Sequence, residues 1–142
     1  MTDASSDTLV RPSSVAGVLT ETDAIANLAV RDLPLARDFY EDTLGFEAVA
    51  HEGDEVITYR SGNSRFNVYR SQYAGTNRAT ALTWAVGDRI EQVAEALAAK
   101  GIVFEHYDLP GLTRDGDIHA GDGMKVAWFK DPDGNILNIV SG

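Results

Sequence analysis

Asn138 breaks the apolar run Ile136 to Val140, standing between Leu137 and Ile139. Side chains alternate along a strand, so this amide points away from both neighbours. Asn67 holds the matching place in Arg65 to Arg70, again two residues before the last apolar position. An amide both donates and accepts, which suits recognition of a neutral group; it is a weak ligand for a divalent cation. The chain has 3 histidines: His51 beside Glu52, and His106 and His119 in a loop-like stretch. Asp117 lies two residues before His119, so on extended backbone both can face one way. With Glu105, these groups are candidates for metal ligation; otherwise the histidines are solvent-exposed loop residues. There is no Cys, and no Ser sits in a GxSxG elbow, so nucleophilic catalysis has no recognisable setting. Gly121-Asp122-Gly123 opens a strand rather than a helix and is no phosphate loop.

The elements that must position these residues come in a repeating order. Ala24 to Val30 reads as a buried strand. Asp32 then caps a helix from Leu33 to Leu44, with Pro34 in its first turn and Gly45 as its stop. Phe46 to His51, Val56 to Arg60 and Arg65 to Arg70 read as three strands with turns between them. The order then recurs. Ala79 to Val86 is a strand, Asp88 caps a second helix with Glu91 at the capping-box position, and Gly101 ends it. Ile102 to Glu105 reads as a strand, and a hairpin closes the chain around Asp131-Pro132-Asp133-Gly134. Val30 and Val86, Asp32 and Asp88, and Gly45 and Gly101 are each 56 residues apart, the signature of an internal duplication. Asn67 and Asn138 differ by 71, so 15 extra residues belong to a long connector between His106 and Gly123. Connectors of that length are often lids or binding loops.

Composition bounds what this arrangement serves. The 142 residues suggest one domain with room for a core, residues 23–142, preceded by a mobile tail over 1–22. The modules span about 23–72 and 78–141. The fold class is α+β. A formal net charge of −10 argues against nucleic acid, whose phosphates need a basic face. It mildly favours a neutral or cationic small ligand, or else serves solubility alone, since acidic surfaces keep proteins apart. No apolar run is long enough to span a bilayer, no signal peptide is evident, and the lack of Cys fits a reducing cytoplasm.

Two βαβββ modules, the helix LARDFYEDTLGF behind its Asp cap, and the DPDGN hairpin resemble the glyoxalase/bleomycin-resistance/dioxygenase family, the vicinal oxygen chelate superfamily. The resemblance covers about residues 24–140. It implies a curved mixed sheet from the two modules around a central cavity, with helices outside. It also implies, in the family's enzymes, a divalent metal held by one side chain from the first and one from the last strand of each module. Carried over, those places are Ile25, Asn67, Ala81 and Asn138. Ile and Ala offer no lone pair, and two neutral amides do not replace the water shell of Zn²⁺, Fe²⁺ or Mn²⁺. No cofactor is therefore expected at these places.

The cavity these places imply is lined by residues in phase with them: Asn27, Tyr69, Thr83 and Ile136 beside Asn67 and Asn138. Leu28, Val30, Leu82, Trp84, Val86, Leu137 and Ile139 are out of phase and belong under the helices. Trp128 is either a cavity wall or a core residue. Such a pocket suits a small organic molecule, cationic or aromatic, bound by Asn27, Asn67, Tyr69, Thr83, Trp128 and Asn138. The resemblance thus points to the metal-free, bleomycin-resistance type of member, which sequesters a drug as an acidic homodimer. Two alternatives stand beside it. One is a metal-dependent lyase, isomerase or dioxygenase with ligands displaced to His51, Glu105, His106, Asp117 or His119. The other is a metal-free enzyme using Tyr69 or a loop carboxylate as acid or base.

Overall fold

A computed structural model describes residues 17–142. The expected tail lies outside the described residues except for its end, 17–22, which is exposed and turns where Thr20 N–H donates to Gly17 O at 3.2 Å.

In the first module, β1 (Ala26–Val30) runs parallel to β4 (Ser64–Arg70). β3 (Val56–Ser61) and β2 (Glu47–Glu52) follow antiparallel, giving the order β1-β4-β3-β2. The helix starts where the sequence places it. Asp32 accepts the Leu35 N–H at 3.0 Å, and α1 (Leu33–Arg37) follows. A wider π-helical turn then carries the chain over Asp38–Thr43, and Gly45 ends it at φ +82°.

The second module repeats the plan with two changes. β5 (Thr80–Ala85) lies parallel to β9 (Ile136–Val140), and the sheet continues through β8 (Met124–Lys130), β7 (Ile118–Gly121) and β6 (Thr113–Asp115). The first change is at the helix. A 3₁₀ turn over Gly87–Arg89 precedes α2 (Ile90–Ala99), so the cap position falls on Arg89 and no side chain caps the helix. Asp88 is therefore not the expected cap, because the tight turn displaces it by one residue from the helix start. Glu91 pairs with Lys125 instead of closing a capping box.

The second change is at the sheet edge. Ile102 to Glu105 is extended but meets β8 at a single bridge, Glu105 to Trp128, where Glu105 N–H donates to Trp128 O at 2.8 Å. The rest of that edge of β8 is taken by β7, in the register His119 to Val126. The expected strand is thus split. The chain leaves after Glu105, forms the β6–β7 hairpin from the 15-residue excess, and returns to complete the edge.

One core joins the modules. Leu28, Val30, Tyr40, Tyr59, Phe66 and Val68 from the first merge with Ile90, Phe104, Phe129, Leu137 and Ile139 from the second. Trp84 is the hinge of that contact. Its ring stacks on Phe46 (5.6 Å) and Phe129 (6.3 Å), and its Nε1–H donates to Ser61 Oγ at 3.0 Å. The out-of-phase residues do lie on the helix side of the sheets, Leu28, Val30, Leu137 and Ile139 fully buried and Leu82, Trp84 and Val86 packed against them. Burial of such side chains stabilises by about 1.5–3 kcal/mol each, so the shared face holds the modules as one unit.

The DPDGN turn is a second tie between modules. Asp131 is only 4% exposed, and its Oδ1 accepts the N–H groups of Asp133 (3.0 Å) and Asn135 (2.9 Å). Its Oδ2 accepts the Tyr40 hydroxyl (2.8 Å) and Asn135 Nδ2–H (2.7 Å). Asn135 Nδ2–H also donates to Ala29 O at 2.8 Å, and Arg31 N–H donates to Asp133 Oδ1 at 3.0 Å. A motif that reads locally as a turn thus pins the second module to β1 and the first helix. Burial raises the Asp131 carboxyl above its ordinary range, against the four hydrogen bonds that favour its anion.

Candidate functional site: an aromatic cleft on the second module

Each sheet has a face turned away from the helices, and the two faces carry different chemistry. On the first, Asn27, Asn67 and Thr58 stand side by side in register across three strands. Thr58 Oγ1–H donates to Asn67 Oδ1 at 2.6 Å, and Asn67 Nδ2–H donates to Asn27 Oδ1 at 3.1 Å. The amides thus satisfy one another across the strands. Tyr69 is on the same face, half-buried, opposite Ala29 and Val56. Ile25 precedes β1 and is exposed.

On the second sheet, Asn138 is opposite Thr83 on one side and Trp128 on the other. The pairing places Trp128 with Asn138 away from the core, so its cavity-wall role is the one the fold adopts. Ala81 falls in a bulge between Thr80 and Leu82, and Thr83 is exposed. Trp128 Nε1–H donates to Thr80 Oγ1 at 3.2 Å. Its ring is met edge-on by His119 (4.9 Å) and Tyr107 (5.1 Å). Thr80, Tyr107 and Trp128, with Leu109, Lys130 and Ile136, line a cleft of about 510 Å³. Of the six residues assigned to binding from the sequence, Trp128 lines this cleft. Asn138 is beside it in the sheet, and Asn27, Asn67, Tyr69 and Thr83 lie elsewhere on the two faces. The charged side chains at the cleft, Arg78 and Lys130, are basic, the opposite sign to the whole chain.

The structure corrects the placement of His119. It is not an exposed loop residue but lies on β7, 1% exposed, because the connector returns as a strand. Its Nε2 accepts the Tyr107 backbone N–H at 2.9 Å, so the neutral ring carries its proton on Nδ1. That Nδ1 is buried without a partner, as is Oδ1 of Asn138, which is 7% exposed. The usable signal was the alternation Ile118-His119-Ala120 ahead of a Gly-rich turn, a strand pattern inside a presumed loop.

The donor set does not fit a divalent metal. Asn67 Oδ1 is already engaged by Thr58, and Ile25 and Ala81 have no lone pair to give. The displaced ligands do not converge either. His106 pairs with Asp117 at 2.8 Å, Glu105 with Lys130 at 3.7 Å, and His51 borders a different cleft with Arg37 and Arg70. Among the described residues no three His, Cys, Asp or Glu side chains are placed to hold a metal ion. No helix among them is long and apolar enough to cross a membrane.

Solved structures share this architecture. A bleomycin-binding protein complexed with bleomycin aligns at TM-score 0.63 and 19% identity, over 84% of this chain and 98% of that one. An integron cassette protein, HFX_CASS4, from the mobile metagenome of the Halifax Harbour sewage outfall aligns at 0.64 and 17%, over 86% and 99%. Lactoylglutathione lyase from Agrobacterium tumefaciens aligns at 0.58 and 19%, over 82% and 92%. At these identities the likeness is one of fold, and it spans a binder and a lyase alike. No curated protein matches the sequence. Residues 22–139 match the model of the Glyoxalase/Bleomycin resistance protein/Dioxygenase superfamily, and the chain belongs to that superfamily.

Proposed function

We propose that this chain is a metal-free member of its superfamily that binds a small, largely planar organic molecule in the Trp128 cleft. The observation that carries this reading is the pairing of an aromatic-walled cleft with a donor set that lacks any anion at the four metal places. A cleft of this size with apolar walls and a few polar groups is what a small organic ligand needs. Arg78 in the lining, beside a Lys130 paired with Glu105 at 3.7 Å, favours a neutral or anionic ligand over the cation that net charge alone suggested. Sequestration of a drug-like molecule in the cytoplasm, by a homodimer, is the role we assign.

Three measurements test it. Native mass spectrometry after growth in Zn-, Fe- and Mn-supplemented medium should give a mass with no bound metal, and one metal equivalent per chain would refute the reading. A thermal-shift screen with planar aromatic compounds should raise the melting temperature, because a ligand that binds only the folded state stabilises it. Divalent metals should not. Light scattering on the same sample should give twice the chain mass.

A further inference from the structure

Among the described residues three buried side-chain polar atoms lack a partner, His119 Nδ1, Asp133 Oδ2 and Asn138 Oδ1; the first and last lie on the same sheet face, with Trp128 on the strand between them. His119 is on β7 and Asn138 on β9, separated by β8, so their strands are roughly 10 Å apart. A buried donor and a buried acceptor without partners each cost stability, which a native fold rarely leaves uncompensated twice on one sheet face. Against Trp128 and His119 sits the ring of Tyr107, half-buried, 5.1 Å from the Trp128 ring and 6.3 Å from that of His119. Tyr107 belongs to the connector that has no counterpart in the first module. The backbone, not the ring, fixes the imidazole, since Tyr107 N–H donates to His119 Nε2. A χ1 rotation of Tyr107 can therefore clear the ring away while His119 keeps its proton on Nδ1.

We infer that the Tyr107 ring is a built-in occupant of the binding slot, and that the ligand replaces it. The ligand is an aromatic ring bearing a hydrogen-bond acceptor at one end for His119 Nδ1–H and a donor at the other for Asn138 Oδ1. The chemistry follows from the site. The slot already holds one aromatic ring edge-on to Trp128, and the two orphan atoms have opposite hydrogen-bonding character. This rests on the Trp128 cleft being the binding site.

The test uses the full chain and three probes of similar shape: 4-hydroxyacetophenone (acceptor and donor at opposite ends), acetophenone (acceptor alone) and ethylbenzene (neither). Titration calorimetry should rank them in that order, with about tenfold per hydrogen bond. Tyr107→Ala should tighten all three by removing the competing ring. His119→Phe should abolish the preference for acetophenone over ethylbenzene, and Asn138→Leu the preference for 4-hydroxyacetophenone over acetophenone. His119→Gln, which keeps a donor, covers the case in which the Phe variant does not fold. A readout independent of any ligand is solvent exchange of the His119 Nδ1–H proton, followed by NMR. That proton should exchange slowly in the native chain, and Tyr107→Ala, which keeps the backbone N–H on Nε2, should speed it. Equal affinity for the three probes, or exchange unchanged by loss of the Tyr107 ring, overturns the inference and leaves the orphan atoms to buried water. Binding in the cleft without dependence on His119 or Asn138 would sink this inference and leave the proposed function standing. Absence of any cleft binding would remove both.

Discussion

The two modules share one strand plan, and their outward faces are opposites. On the first sheet the amides of Asn27 and Asn67 and the hydroxyl of Thr58 hydrogen-bond one another across three strands. On the second, Asn138 holds the repeat-equivalent place of Asn67 but has no partner for its Oδ1. The neighbours decide the difference. Asn67 is flanked in register by Thr58 and Asn27, side chains that can answer it, whereas Asn138 is flanked by Thr83, which makes no bond to it, and by Trp128, whose N–H goes to Thr80. A closed polar ladder stabilises a sheet; an open one beside aromatic rings is equipped to take something else.

The largest expected effect removes the frame that sets both faces. Asp131→Ala leaves the Tyr40 hydroxyl, two backbone N–H groups and the Asn135 amide without their acceptor. It should cost about 3–5 kcal/mol in urea unfolding, since each buried donor left without an acceptor costs about 1–3 kcal/mol and water can reach some of them. A loss below 1 kcal/mol would mean the turn does not hold the modules together. Next, Asn67→Ala should destabilise by about 1 kcal/mol, since it breaks two hydrogen bonds at a half-buried site where water can partly replace them. Asn138→Leu should go the other way, between neutral and about 1 kcal/mol more stable, because it removes an unsatisfied oxygen and adds apolar volume. Equal losses in the two variants would erase the contrast between the faces. Asn138→Glu adds one carboxylate but leaves Ile25 and Ala81 without lone pairs, so equilibrium dialysis should find no stoichiometric Zn²⁺.

The smallest effect is one of pH. Burial places the folded Asp131 carboxyl above its ordinary 3.8, so the folded state holds that proton more tightly than the unfolded chain. Stability from this group is then fully present below pH 3.8 and lost as pH rises through the folded value. The stability of the native chain relative to Asp131→Asn should accordingly decline from pH 3 towards neutrality. The opposite slope would show that the four hydrogen bonds outweigh burial.

Much of the architecture was legible in the chain because it rests on local chemistry. The Asp32 cap, the glycine stops at Gly45 and Gly101, strand alternation and the turn residues of DPDGN each depend on a few neighbours, and the 56-residue register repeats them. Asp88 shows the limit of that kind of reading. Its spacing matches Asp32, yet a 3₁₀ turn carries it off the cap position. The site was legible only in part. Spacing put Asn67 and Asn138 at equivalent places and chemistry marked them as weak ligands for a divalent metal, and both statements need nothing beyond residue types. Tertiary structure decided that Trp128 faces outward, that Asp131 reaches Tyr40 across 91 residues, and that His119 is buried behind Tyr107. These depend on which strand takes the free edge of β8 and on which turn docks on which module. Such long-range choices are settled by packing, for which a residue's neighbours in sequence carry no signal.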